Sequence, residues 1–205
     1  MMMKSKSGYE KRLIEIRAAE GQEDKMIVEG YAITFDQPAT HEYGGRKFTE
    51  VIKRGALDHA DMKDVPMRYN HNDNVMIMAR TRNKSLQLIV DDIGLRIKAE
   101  LIDTQSNRDL YKGIKERLID KMSFAFAVAD EGDTWTFGEN ETKRDITNIA
   151  RIYDVSAVDT PFYDTTEIYS RSFDLLESEE KRLESLREIE LLKLKIKIKG
   201  AKHEG

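Results

Sequence analysis

Cysteine is absent from all 205 residues. That one absence removes disulfides, thiolate nucleophiles and cysteine-ligated zinc together, and it fits a reducing cytoplasm. No apolar run approaches the length of a membrane span. Met1–Gly8 is basic, but no apolar signal-peptide stretch follows it, so the reading is a soluble protein made in a cytoplasm. A basic excess is missing too. Lys and Arg number 34 against 38 Asp and Glu, a net charge of -4, which argues against broad nucleic-acid binding. Histidine is scarce: His41, His59, His71 and His203 include no pair at metal spacing, and there is no HExxH segment. Asp73, Asp91 and Asp92 are simpler as turn residues than as a carboxylate metal site. A Gly-x-Ser-x-Gly elbow is also lacking, which excludes an α/β-hydrolase nucleophile.

What is present is 40% hydrophobic and 35% charged, with much of the charge near the C-terminal end. The rest reads as an ordinary domain with a proper core. Period-two alternation predicts strands over 11–18, 26–35, 65–70, 75–79, 86–90, 95–101, 122–128, 134–137 and 144–158. Turn residues punctuate them at Glu20–Asp24, Asp91-Asp92-Ile93-Gly94, Asp130–Asp133 and Gly138–Glu141. Gln37-Pro38-Ala39 breaks the second strand. Residues 40–64 read as loop and short helix, with a tight turn at Gly44-Gly45 and a brief helical spacing of Phe48, Val51 and Ile52. Leu110, Ile114 and Leu118 predict a helix over Asn107–Ile119, with Ser106 as its N-cap. Many short strands with one or two helices make the chain mixed but mainly β, a barrel or a sandwich.

The chain changes character near residue 172. The expected organisation is a β domain over 1–172 and a charged helical tail over 173–205. Leu176, Leu183, Leu186, Ile189 and Leu192 lie roughly on one helical face, with acidic residues opening the helix and lysines closing it. Lys193–Lys199 instead alternates with period two, a strand-like pattern. The tail reads equally as an extended partner-binding arm or as a solvated helix packed on the barrel.

Three segments carry chemistry. Tyr69-Asn70-His71-Asn72-Asp73 offers an imidazole at the end of a strand, where it can be both anchored and reachable, as a general base must be. Lys121-Met122-Ser123-Phe124-Ala125-Phe126 sets one hydroxyl in an otherwise apolar strand, and burying it is costly without a partner. Asp154-Val155-Ser156-Ala157-Val158 opens an apolar strand with a carboxylate. Base, nucleophile and orienting group are the parts of an acyl-transfer site. Each segment also has a plain structural explanation: an exposed loop histidine, a strand serine bonded to a neighbouring backbone, a turn carboxylate.

The order of these segments, with Arg80, Asp92-Ile93-Gly94-Leu95 and Pro161 between and after them, resembles the prohead (procapsid) maturation serine proteases of tailed bacteriophages. Gly30-Tyr31-Ala32 with Phe35, and Gly55-Ala56 after Ile52, resemble that family's opening strand and loop. The resemblance covers roughly residues 10 to 166. It departs at Ala79-Arg80 and Ala125, where the family often has glycine, and at Pro161-Phe162-Tyr163. It implies a closed antiparallel β-barrel with a few surrounding helices, related to herpesvirus assemblin, and catalysis by His71 as base and Ser123 as nucleophile. Asp154 is implied as the third member, with Asn148, Asp145 and Glu139 as alternatives. It further implies no metal or organic cofactor, and action in the host cytoplasm inside the assembling prohead. The implied partners are the major capsid protein with its scaffolding segment, and the chain itself through autocleavage or a homodimer.

Overall fold

The structure, a computed structural model, describes residues 10–19, 25–43, 46–139, 141–159 and 166–201. The expected turns at Glu20–Asp24 and Gly44-Gly45, the Pro161–Tyr163 segment and His203 lie outside them. The chain divides into two units, 1–164 and 165–205.

Among the described residues, the first unit is built on twelve strands and one helix. Its main sheet uses β1 (Glu10–Ala18), β2 (Met26–Thr34), β5 (Pro66–Tyr69), β6 (Ala79–Arg80), β7 (Leu86–Val90), β8 (Gly94–Leu101), β9 (Lys121–Val128) and β12 (Ile149–Val158), in the order β6-β5-β12-β9-β1-β2-β8-β7. Every neighbouring pair is antiparallel except β5 and β12, which run parallel. The sheet curls into a nearly closed barrel. Its two edges, β6 and β7, are joined by a tight turn in which the Arg80 N–H donates to Ser85 Oγ at 2.9 Å. Two close approaches need glycine. A Cβ on Gly30 would meet the Glu15 carbonyl at 2.4 Å, and one on Gly94 would meet the Ile33 carbonyl at 1.8 Å.

One face of this sheet lines the core. Ile16, Val28, Leu95, Ile97, Met122, Phe124, Phe126, Val155 and Ala157 all belong to it. The Phe124 and Phe126 rings stack with centroids 5.1 Å apart. Burying a side chain of this size contributes about 1.5–3 kcal/mol, so these residues fix which way β9 and β12 face. The alternate residues, Ser123, Ala125, Asp154, Ser156 and Val158, are buried on the opposite face.

The helix α1 is Gln105–Lys115, capped by the Thr104 side chain, which accepts from the Asn107 N–H at 3.3 Å. The expected Ser106 cap and start at Asn107 are therefore displaced: Ser106 lies inside the first turn. The helix also stops earlier than Ile119. Arg117 takes a left-handed φ of 58°, and the N–H groups of Leu118 and Ile119 turn back to the Gly113 carbonyl. Leu118 is consequently exposed, whereas Ile119 enters the core.

A smaller sheet runs β10-β11-β4-β3, from β3 (Pro38–Tyr43), β4 (Arg46–Ile52), β10 (Asp133–Phe137) and β11 (Glu141–Ile146). It corrects the reading of 40–64 as loop and short helix. Phe48 and Ile52 are buried strand residues, and β4 is stabilised by its parallel partner β11, which is distant in sequence. Pro38 opens edge strand β3, where a missing N–H is tolerated. Phe48 stacks on Trp135, and Arg144 sits between Glu50 and Asp133, at 3.0 and 2.6 Å. Two other readings change. Of 75–79 only Ala79 is strand, and 144–158 splits into β11 and β12 at Thr147-Asn148.

The second unit contains α2 (Thr166–Ala201). The helix runs straight through Lys193–Lys199, so the period-two pattern there does not make a strand. Among the described residues no strand pairs with this segment, and Leu, Ile and Lys propagate a helix already begun. No described helix is long and apolar enough to cross a membrane.

Candidate active site

β5 ends at Tyr69, and the next two residues, Asn70 and His71, both take left-handed φ values of 51° and 52°. Asparagine and histidine are the side chains that tolerate this region best, but each such residue still costs on the order of 1 kcal/mol. The surroundings hold the turn in place. The Asn70 N–H donates to the Ala157 carbonyl at 2.9 Å, which extends the β5–β12 ladder by one residue. The Asn70 side chain then bonds Asp159 reciprocally: Nδ2 donates to Oδ1 at 3.0 Å, and Oδ1 accepts the Asp159 N–H at 3.2 Å. The Tyr69 hydroxyl donates to the other Asp159 oxygen, and that bond raises the phenol pKa above its ordinary value. Beyond the turn, Arg68 pairs with Asp73 at 3.1 Å and donates to the Asn72 carbonyl.

This turn brings the His71 imidazole against β12. His71 Nδ1 lies 2.6 Å from Asp154 Oδ1, with both side chains largely buried, at 2% and 11% exposed. Ser156 completes the contact. Its Oγ accepts the His71 backbone N–H at 3.2 Å and donates to Asp154 Oδ1 at 2.9 Å. Ser123 stands on β9 directly opposite Ser156. Residues paired in this way carry their side chains on the same face, with Cα atoms about 4.5–5.5 Å apart. Ser123 is 1% exposed, and its hydroxyl has no hydrogen-bond partner among the described residues.

Asp154 reaches this face because β12 is irregular. Ile152 pairs with Phe126 and Asp154 with Ala125, so two steps on β12 match one on β9 and Tyr153 is the extra residue. The bulge shifts the phase of the strand. Ile152 packs in the core while Asp154, two residues later, points to the opposite face with Ser156.

The structure therefore assembles His71, Ser123 and Asp154 around one pair of strands, and it separates the alternatives from them. Asp145 pairs with Lys53 at 3.6 Å on the smaller sheet. Asn148 lies in the β11–β12 turn with its N–H on the Gly132 carbonyl, and Glu139 is exposed beyond β10. His59 is exposed in the turns after β4, and His41 stands on β3. Asp91 is a turn residue, accepting the N–H groups of Ile93 and Gly94. Among the described residues no cluster of three metal-ligating side chains occurs. Sequence reasoning missed Asn70 and Asp159 as braces, and it gave Ser156 no part. The one available signal was Asp154-x-Ser156, two polar residues at strand period two in an apolar stretch.

A family model described as caudovirus prohead serine protease matches residues 12–181. No curated protein and no solved structure matches the chain.

Proposed function

Since the chain belongs to the caudovirus prohead serine proteases, and so hydrolyses peptide bonds, we propose that it cuts the scaffolding segment from the phage major capsid protein, with Ser123 as nucleophile, His71 as general base and Asp154 as orienting carboxylate. The observation that carries this reading is the 2.6 Å contact between His71 Nδ1 and Asp154 Oδ1, on the face that bears Ser123. A carboxylate only accepts, so the proton between them sits on Nδ1, and Nε2 is the unprotonated nitrogen that can take a proton. Ser123 Oγ attacks the scissile carbonyl as its proton passes to Nε2. Asp154 stabilises the imidazolium that results. The tetrahedral adduct collapses, Nε2 returns the proton to the departing amine, and an ester on Ser123 remains. Water, deprotonated by His71, then hydrolyses that ester.

The buried, unpartnered Ser123 hydroxyl supports the same reading. A merely structural serine in a strand bonds a nearby backbone group, whereas this one has no such bond among the described residues. The loop after Val158 is the candidate for the oxyanion donors, and there the Asp159 N–H donates to Asn70 Oδ1 at 3.2 Å. The enzyme works inside the prohead on capsid protein. It also cuts itself, with the lysine-rich end of α2 as the accessible region.

Co-expression with the major capsid protein from the same genome tests the proposal. Wild type shortens the capsid protein, while Ser123→Ala and His71→Ala leave it full length. Cleavage by Ser123→Ala would refute the assignment of the nucleophile.

A further inference from the structure

Ser156 is fully buried, and both faculties of its hydroxyl are in use. Four groups close a ring: the His71 backbone N–H, the Ser156 hydroxyl, Asp154 Oδ1 and His71 Nδ1. The direction of every proton in that ring is forced. A backbone N–H can only donate, so Ser156 Oγ accepts from it and turns its own hydrogen elsewhere. A carboxylate can only accept, so that hydrogen goes to Asp154 Oδ1. The same oxygen then takes the imidazole proton on Nδ1.

We propose that Ser156 is the positioning residue of this site, tying the backbone and the imidazole of His71 to a single oxygen of Asp154 and thereby fixing the rotation and tautomer of the ring. This rests on the reading of His71, Ser123 and Asp154 as the catalytic set. It also accounts for the left-handed turn. The strained His71 backbone is held by its own N–H bond to the side chain that orients its carboxylate partner. A serine present only to satisfy the strand would bond a carbonyl. This one bonds the carboxylate that faces the imidazole. Its place opposite Ser123 puts the brace and the nucleophile on adjacent strands, so both are referred to the same rigid ladder.

The test uses the full chain and a fluorophosphonate probe, which reports acylation of Ser123 without any capsid substrate. Wild type and Ser156→Thr, which keeps the hydroxyl, are expected to label at comparable rates. Ser156→Ala, still folded by circular dichroism, is expected to label about 10–100-fold more slowly, the loss that a roughly 1 Å misplacement of a reacting group produces. Proton NMR gives a readout that a structural role would not move. The low-field His71 Nδ1–H resonance should be present in wild type and Ser156→Thr and lost to exchange in Ser156→Ala. Labelling of Ser156→Ala at the wild-type rate, or an unchanged Nδ1–H resonance, overturns the proposal. Should Ser156→Ala not fold, Ser156→Thr decides: loss of labelling and resonance in a folded Thr variant overturns it, and retention of both supports it. If wild type itself is not labelled, the protease site has been misread, while the resonance comparison still tests the ring.

Discussion

Removing the proposed nucleophile should make the protein more stable. Ser123 Oγ is buried at 1% exposure and makes no hydrogen bond among the described residues. A buried polar group left unsatisfied costs about 1–3 kcal/mol. Ser123→Ala deletes that group and leaves a side chain of nearly the same shape, so little packing is lost. We expect a gain of about 1–2 kcal/mol, which for a domain of this size raises the melting temperature by roughly 2–8 °C. Ser156→Ala should do the opposite, although the two serines face each other across one ladder. It orphans the His71 N–H and removes a donor from Asp154, a loss of about 1–3 kcal/mol. Urea unfolding followed by fluorescence of Trp135, the single tryptophan, measures both. A destabilised Ser123→Ala would mean that its hydroxyl is satisfied in solution, and the inference from its burial would fall.

Asp154→Asn should fold normally yet lose roughly 10³–10⁴-fold in the rate of Ser123 acylation, because an amide can donate to Nδ1 and so favours the wrong tautomer. A fluorophosphonate time course checks this. Deleting Tyr153 leaves Ile152 and Asp154 adjacent opposite Phe126 and Ala125, so regular alternation alone should keep Ile152 in the core and Asp154 on the face of Ser123. Labelling should persist in a folded variant; its loss would show that the bulge sets the aim of the carboxylate beyond choosing its face. Asp64 titrates below the ordinary carboxylate range, chiefly because Arg80 donates to it on both oxygens at the barrel seam. A carboxyl lowered on folding contributes stability above its unfolded value, and the contribution is lost as pH falls through its folded value. NMR titration should therefore find Asp64 moving upward in Arg80→Gln, and that variant should lose less stability between neutral and acidic pH than wild type.

The segments of the proposed site were legible wherever the chemistry of a residue conflicts with its surroundings. Ser123 is a hydroxyl in an apolar strand, and His71 closes a strand at a polar turn. Asp154 stood out as a carboxylate opening an apolar strand, but its face was not legible, because regular alternation from Ile152 would point it into the core. Only the bulge at Tyr153, a property of the pairing with β9, reverses that. The smaller sheet was missed for a related reason. β4 is held by β11 across nearly a hundred residues, and nothing local to Phe48, Val51 and Ile52 distinguishes a brief helical spacing from a half-buried strand. At Lys193–Lys199 the error ran the other way, since a local pattern suggested a strand where no strand pairs with it among the described residues. Braces such as Asn70 and Asp159 show only when the ends of β5 and β12 are side by side.

β9 has a neighbour on each side, β1 and β12, so the backbone around Ser123 is bonded into the wall of the barrel in both directions. The serine is thus a stave of the cask, where many hydrolases mount theirs on a turn. A stave cannot be drawn back without opening the vessel, and opening it would expose Met122, Phe124 and Phe126 to water. The imidazole, by contrast, hangs from the end of a four-residue strand. With Ser123 and His71 in their proposed roles, a device that silences the site without unfolding the barrel would have its lever on that side, in the few bonds that hold the His71 turn.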